Sequence, residues 1–165
     1  MPGAITLRPA RPGESEALSE LALRSKAYWK YSPEFIEACR AELAVSEEAL
    51  VDPRSRYVLA ESEGAVVGYY ALICDPAGSF ELDALFVRPE NIGQGIGRAL
   101  IEHAKDCART LGAASITIQG DPHAADFYLA AGGVQVGESE SQSIPGRSLP
   151  EFRIRLDPPS VTSGR

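Results

Sequence analysis

The stretch Val87-Arg88-Pro89-Glu90-Asn91-Ile92-Gly93-Gln94-Gly95-Ile96-Gly97-Arg98 sets three glycines at alternate positions between an apolar run and a segment of helical periodicity. Upstream, residues 80–87 (FELDALFV) read as a strand. Downstream, Ile96, Leu100, Ala104, Cys107, Ala108 and Leu111 keep helical spacing from Gly95 to about Leu111, where Gly112 supplies a stop. Glycine lets a backbone take positive φ and approach a ligand closely, and a helix start offers unpaired N–H groups with a favourable dipole. A loop of this kind holds a pyrophosphate without any lysine.

The rival phosphate loops fail on residues. A P-loop ends in GK[ST], whereas Gly97 is followed by Arg98-Ala99; a dinucleotide fingerprint needs G-x-G-x-x-G, whereas the sixth position from Gly93 is Arg98. A plain glycine-rich turn is the bland alternative, but three glycines at a helix entry cost stability that such a turn does not require.

Working outward, residues 5–9 read as an opening strand, and Leu18, Leu21, Ala22 and Leu23 as one face of a helix. Ser32-Pro33-Glu34 opens a second helix through Phe35, Ile36, Cys39 and Leu43. Residues 57–62 and 65–73 form a hairpin about Glu63-Gly64, and 80–87 follows, its alternation placing Glu81, Asp83, Leu85 and Val87 on one face and Leu82, Ala84 and Phe86 on the other. After the long helix come a strand at 115–118, a short helix at 124–131 and a last strand pair at 134–138 and 151–156. The order β-α-α-β-β-β-α-β-α-β-β describes one α+β domain over 1–157, a mixed central sheet of about six to seven strands flanked by about four helices. Residues 158–165 read as a disordered tail.

Composition bounds the function. A length of 165 residues fits one domain, and a net charge of −7 opposes partners bound by phosphate neutralisation, so nucleic acid is not expected. The three cysteines are odd in number and widely spaced, no basic stretch leads an apolar run at the N-terminus, and no membrane-length apolar run occurs. A cytoplasmic protein without a membrane partner is expected, and a homodimer is compatible with the chain. His103 and His123 lack metal-site spacing, so no metal is expected.

The loop Ile92-Gly93-Gln94-Gly95-Ile96-Gly97 resembles the pyrophosphate loop [QR]-x-x-G-x-[GA] of the GNAT N-acetyltransferases, with Ile92 in place of the leading Gln or Arg. Asp121-Pro122-His123-Ala124-Ala125-Asp126-Phe127-Tyr128-Leu129-Ala130-Ala131-Gly132 resembles a second family pattern, N-x-x-A-x-x-F-Y-x-x-x-G, with Asp121 for Asn. The likeness runs more loosely from about residue 5 to residue 156.

The resemblance implies an acetyl-CoA-dependent transferase acting by direct attack in a ternary complex. It places the cofactor on Gly93, Gln94, Gly95, Ile96, Gly97 and Arg98, on Asp121, and along the main chain of Leu85, Phe86 and Val87. It makes Glu81 the candidate base, with Asp83 as rival, and Tyr128 the candidate acid. It sets the acceptor between the segment joining the first two helices and the loop joining the last two strands; there Tyr28, Trp29 and Arg147 suggest a pocket for a small amine bearing a carboxylate. A protein or peptide amine, and a non-catalytic acyl-CoA sensor, are the alternatives.

Overall fold

The computed structural model describes residues 4–157, so the segment 158–165 read as a tail lies outside the described residues. The chain runs β1 (Ile5–Pro9), α1 (Ser15–Ala27), α2 (Pro33–Leu43), α3 (Glu47–Val51), β2 (Ser55–Ser62), β3 (Ala65–Cys74) and β4 (Phe80–Val87). It continues through α4 (Ile96–Thr110), β5 (Ser115–Gln119), α5 (Ala125–Ala130), β6 (Gly133–Glu140) and β7 (Ser148–Arg155). The seven strands form one sheet in the order β1-β2-β3-β4-β5-β7-β6. Every pairing is antiparallel except that of β4 with β5.

Local chemistry sets the helix boundaries. Pro33 occupies the first turn of α2 while the Ser32 side chain accepts the Phe35 N–H at 3.1 Å. Ser46 does the same for α3, accepting the Ala49 N–H at 3.1 Å. That short helix is the element the sequence pattern missed, being too brief to show a period. Helix α4 buries Ile96, Leu100, Ile101, Ala104 and Ala108. Leu111, expected on the same face, lies past the helix end and is 44% exposed, because the chain turns there into Gly112 at φ +92°.

The sheet is covered on both faces. On one, α4 and Tyr128 of α5 pack over Tyr70, Leu72, Leu82, Ile116, Ile118 and Phe152; on the other, Leu18, Leu21 and Ala22 of α1 pack over Leu59 and Tyr69. Gly68 lets α4 approach β3, since a Cβ there would lie 2.9 Å from the Phe86 carbonyl oxygen and 3.1 Å from Leu100.

The face assignment of β4 needs correction. Ala71 pairs with Ala84 and Leu72 with Leu82, so Asp83 is left without a partner in a β-bulge. The extra residue reverses the alternation. Phe80, Leu82, Leu85 and Val87 therefore share the α4 face, while Ala84 and Phe86 share the α1 face. Glu81, between Phe80 and Leu82, is turned away from Leu85 and Val87 rather than standing beside them.

Candidate active site

β4 and β5 are in register only at Phe80–Ile116 and Glu81–Thr117. Beyond Glu81 the two strands part, and the edge of β4 from Leu82 to Val87 faces open space. A cavity of about 590 Å³ fills that gap, with Leu82 to Val87 on one wall and Gln119, Asp121 and Tyr128 on the other. Parallel strands that splay expose main-chain N–H and C=O groups no longer used in the sheet, and an extended ligand can pair with them.

The glycine loop closes one end of this cavity. Gly93 (φ +86°) and Gly95 (φ +84°) are left-handed, and a Cβ on either would meet no protein atom within 4 Å. The first helical hydrogen bond of α4 runs from the Ala99 N–H to the Gly95 carbonyl at 3.0 Å, so the N–H groups before it are unused by the helix. Gly93, Gly95, Gly97 and Arg98 all line the cavity. Donors, dipole and space suit a pyrophosphate, and the unpaired β4 edge suits the extended arm of coenzyme A. Gly97 is also needed for packing: a Cβ there would lie 3.2 Å from the Phe127 ring.

Gly95→Ala should raise the KM for acetyl-CoA about tenfold, because the added methyl enters the space where backbone and anion meet. It should also cost about 1 kcal/mol of stability through the left-handed backbone. Titration of coenzyme A and a melting curve read the two effects separately. An unchanged affinity removes the loop from the site.

Tyr128 lies in the wall opposite β4, 7% exposed, its ring 5.6 Å from Phe152 and 5.2 Å from Phe127. Among the described residues its hydroxyl makes no hydrogen bond. Burial first, and the Asp121 charge second, push its pKa up, which makes the phenol, protonated at neutral pH in any case, a weaker acid. Glu81 and Asp83 are accessible through the cavity yet crowded by it. Both side chains are exposed, yet partial loss of solvent against the cavity wall raises both carboxyls above their ordinary range; Asp83 adds to the effect on Glu81, and Glu42 to that on Asp83. A carboxylate raised in this way is a better proton acceptor near neutral pH.

Asp121 lines the cavity and is also the centre of a hydrogen-bonded cluster. Its carboxylate accepts Lys26 Nζ at 2.6 Å, the Tyr31 hydroxyl at 2.9 Å and the His123 backbone N–H at 2.9 Å. Burial pushes the Asp121 carboxyl up, but Lys26 and these donors outweigh it and hold the group well below the usual carboxylate range. Burial and the Asp121 hydrogen bond push Tyr31 up to about 12. Arg147 Nη2 donates to the Tyr31 hydroxyl at 2.7 Å, and the guanidinium lies 4.8 Å from the Phe35 ring centroid. The segment after α1, the loop after β5 and the β6–β7 loop are thus tied together.

Most of the residues singled out by sequence meet at this cavity, and three do not. Trp29 lines it, stacked on His123 at 5.0 Å and 11°. Gln94 is bonded to Asn91 at 3.1 Å, Tyr28 is 47% exposed, and Arg147 is turned onto Tyr31 and Phe35; none of these lines the cavity. Ile96 reaches it but is 1% exposed and anchors α4 in the core. Sequence reasoning passed over Glu42, Tyr57, Tyr69 and Gln119, which stand far apart in the chain and carry no shared spacing.

The family profile of the acetyltransferase (GNAT) domain matches residues 23–143. A peptidyl-lysine N-acetyltransferase (YjaB) of Salmonella typhimurium is 29% identical over 151 residues, covering 91% of this chain and 97% of that protein. An IAA acetyltransferase of Azospirillum brasilense is 34% identical over 73 residues, so the match spans 44% of this chain and about half of that relative, 48%. Among solved structures, a GCN5-related N-acetyltransferase from Rhodopseudomonas palustris superposes with a TM-score of 0.77 at 24% identity, covering 94% and 98% of the two chains. The PaiA N-acetyltransferase of Thermoplasma acidophilum, solved in complex with coenzyme A, gives 0.74 at 18% identity over 93% and 99%. With the profile spanning most of the described fold, the chain belongs to the GNAT family, the acyl-CoA-dependent N-acetyltransferases that use acetyl-CoA.

Proposed function

We propose that this enzyme acetylates a small-molecule amine that enters the cavity from the side of Trp29 and Glu42, opposite the glycine loop. The observation that carries the reading is the cavity between the parted strands β4 and β5, with unpaired backbone donors at one end and carboxylates at the other. When bound, acetyl-CoA supplies an acetyl group activated as a thioester. The N–H groups before Ala99 hold the anionic end, and the free edge of β4 aligns the arm. Glu81 or Asp83 takes the proton that the attacking nitrogen sheds, directly or through water. Tyr128 presents its hydroxyl to the departing sulfur.

A carboxylate on the acceptor finds less support than the sequence suggested. Arg147, the residue meant to receive it, donates to Tyr31, packs on Phe35 and does not line the cavity. A small neutral or cationic amine fits the lining better.

Thiol release from acetyl-CoA on addition of an amine panel tests the reading. Release should follow an acid limb in kcat/KM set above the ordinary carboxylate range, because raised Glu81 and Asp83 lose their function as pH falls through the raised value. Glu81→Gln should lower the rate and shift that limb. Coenzyme A binding without thiol release from any amine would make the protein a sensor.

A further inference from the structure

The end of the cavity remote from the glycine loop is built on the α1 face of the sheet. Tyr57 of β2 and Tyr69 of β3 stack there with ring centroids 6.3 Å apart and planes at 20°. Phe86 of β4 lies 5.8 Å from Tyr69. Glu42 from the last turn of α2, and Glu81 and Asp83 from β4, line the same space. They act on one another: Glu42 disfavours the charge on Asp83, and Asp83 that on Glu81, Tyr57 and Tyr69.

Among the described residues, the basic side chains that line the cavity, Lys26, Arg98 and His123, make no ion pair with these acids. Lys26 is bonded to Asp121 at 2.6 Å, and Arg98 stands in the first turn of α4 at the opposite end. Tyr69 is 1% exposed and lines the cavity, and among the described residues its hydroxyl has no hydrogen-bond partner. An unpartnered hydroxyl on a buried ring is an acceptor for a ligand N–H.

Transfer needs one proton acceptor. The amine nitrogen bonds to the carbonyl carbon as the carbon–sulfur bond breaks, its proton passes to a carboxylate, and the thiolate regains a proton. Glu42, Glu81 and Asp83 are exposed in the free protein, and a ligand with one neutral nitrogen covers them while leaving the remaining acidic charge crowded and uncompensated. A second ammonium, carried along unreacted, relieves it and lies against the tyrosine faces as a cation.

We infer that this chamber of Glu42, Tyr57, Tyr69, Glu81 and Asp83 selects acceptors with a second cationic nitrogen, aliphatic diamines in preference to monoamines and amino acids. The inference rests on the transferase reading above, and two independent measurements separate them.

In the first, kcat/KM is compared for diaminobutane, butylamine and aminobutyrate. The diamine should lead the monoamine by about tenfold or more, the scale of a charge-assisted hydrogen bond. Glu42→Gln should cut that ratio about tenfold, while keeping the oxygen to which Ser143 Oγ donates at 2.7 Å. In the second, the same amines are titrated calorimetrically into the coenzyme A complex, which reads selection without turnover. Equal rates and equal binding for diaminobutane and butylamine overturn the inference and leave transfer intact. Aminobutyrate as the best acceptor, or a ratio untouched by Glu42→Gln, overturns it too. Tighter diamine binding without thiol release from any amine upholds the selection and ends the transferase reading.

Discussion

Replacing Tyr128 with Phe is expected to lower kcat by about ten- to ten-thousand-fold while coenzyme A binds almost as before. The change deletes one hydroxyl and keeps the ring that packs on Phe127 and Phe152. The wild-type phenol, like any tyrosine, is protonated at neutral pH, and burial, then the Asp121 charge, push its pKa up further. A donor this weak does not give its proton readily to an ordinary thiolate in water. In the same wall, however, the thiolate is also stripped of water and becomes more basic, so a hydrogen bond that strengthens as the sulfur departs favours the transition state. Pre-steady-state thiol release at saturating acetyl-CoA is the measurement that isolates this step. A wild-type rate across the pH range would leave Tyr128 as a packing residue alone.

Replacing Asp121 with Ala is expected to destabilise the fold by about 3 kcal/mol, because it strands two partly buried cations. The Lys26 and Arg147 side chains are only 14% and 19% exposed, and both face Asp121. For a chain of this size that corresponds to a fall in melting temperature of about 6–12 °C. The pH dependence has a definite sign. Asp121 titrates lower in the folded state than in the unfolded chain, so its contribution is complete above the ordinary aspartate value and is lost as pH falls toward the folded value. The melting curves of variant and parent should therefore converge in acid. Asp121→Ala combined with Lys26→Met should recover part of the loss, since removing both charges leaves less uncompensated than removing one. Additive losses in the double variant would show that Lys26 and Asp121 do not depend on each other.

The order of elements was legible because each carries a local signal. Helix α4 shows its period over four turns, α2 its Ser-Pro start, and the β2–β3 hairpin its Glu63-Gly64 turn, with Glu63 at φ +53° and Gly64 at φ +80°. The glycine loop was legible for the same reason: φ-permissive residues at a helix entry are a statement about backbone, which sequence records directly. α3 was missed because its five residues are shorter than any period that would announce it.

The faces of β4 lay beyond the sequence. Alternation counts residues on one strand, whereas the bulge at Asp83 is a property of how β3 and β4 register, and that register is set by packing from both sides of the sheet. The same holds for Arg147. Nothing in residues 141–147 reveals that its guanidinium is held by Tyr31, more than a hundred residues away in sequence, rather than left for a ligand. The amino-acid sequence by itself determined most of the elements, the glycine-rich turn at the start of α4 and the family, each encoded within a few neighbouring residues. Tertiary structure alone decided which charges pair within the protein and which line the cavity unpaired, because charge pairing depends on distances that only folding sets.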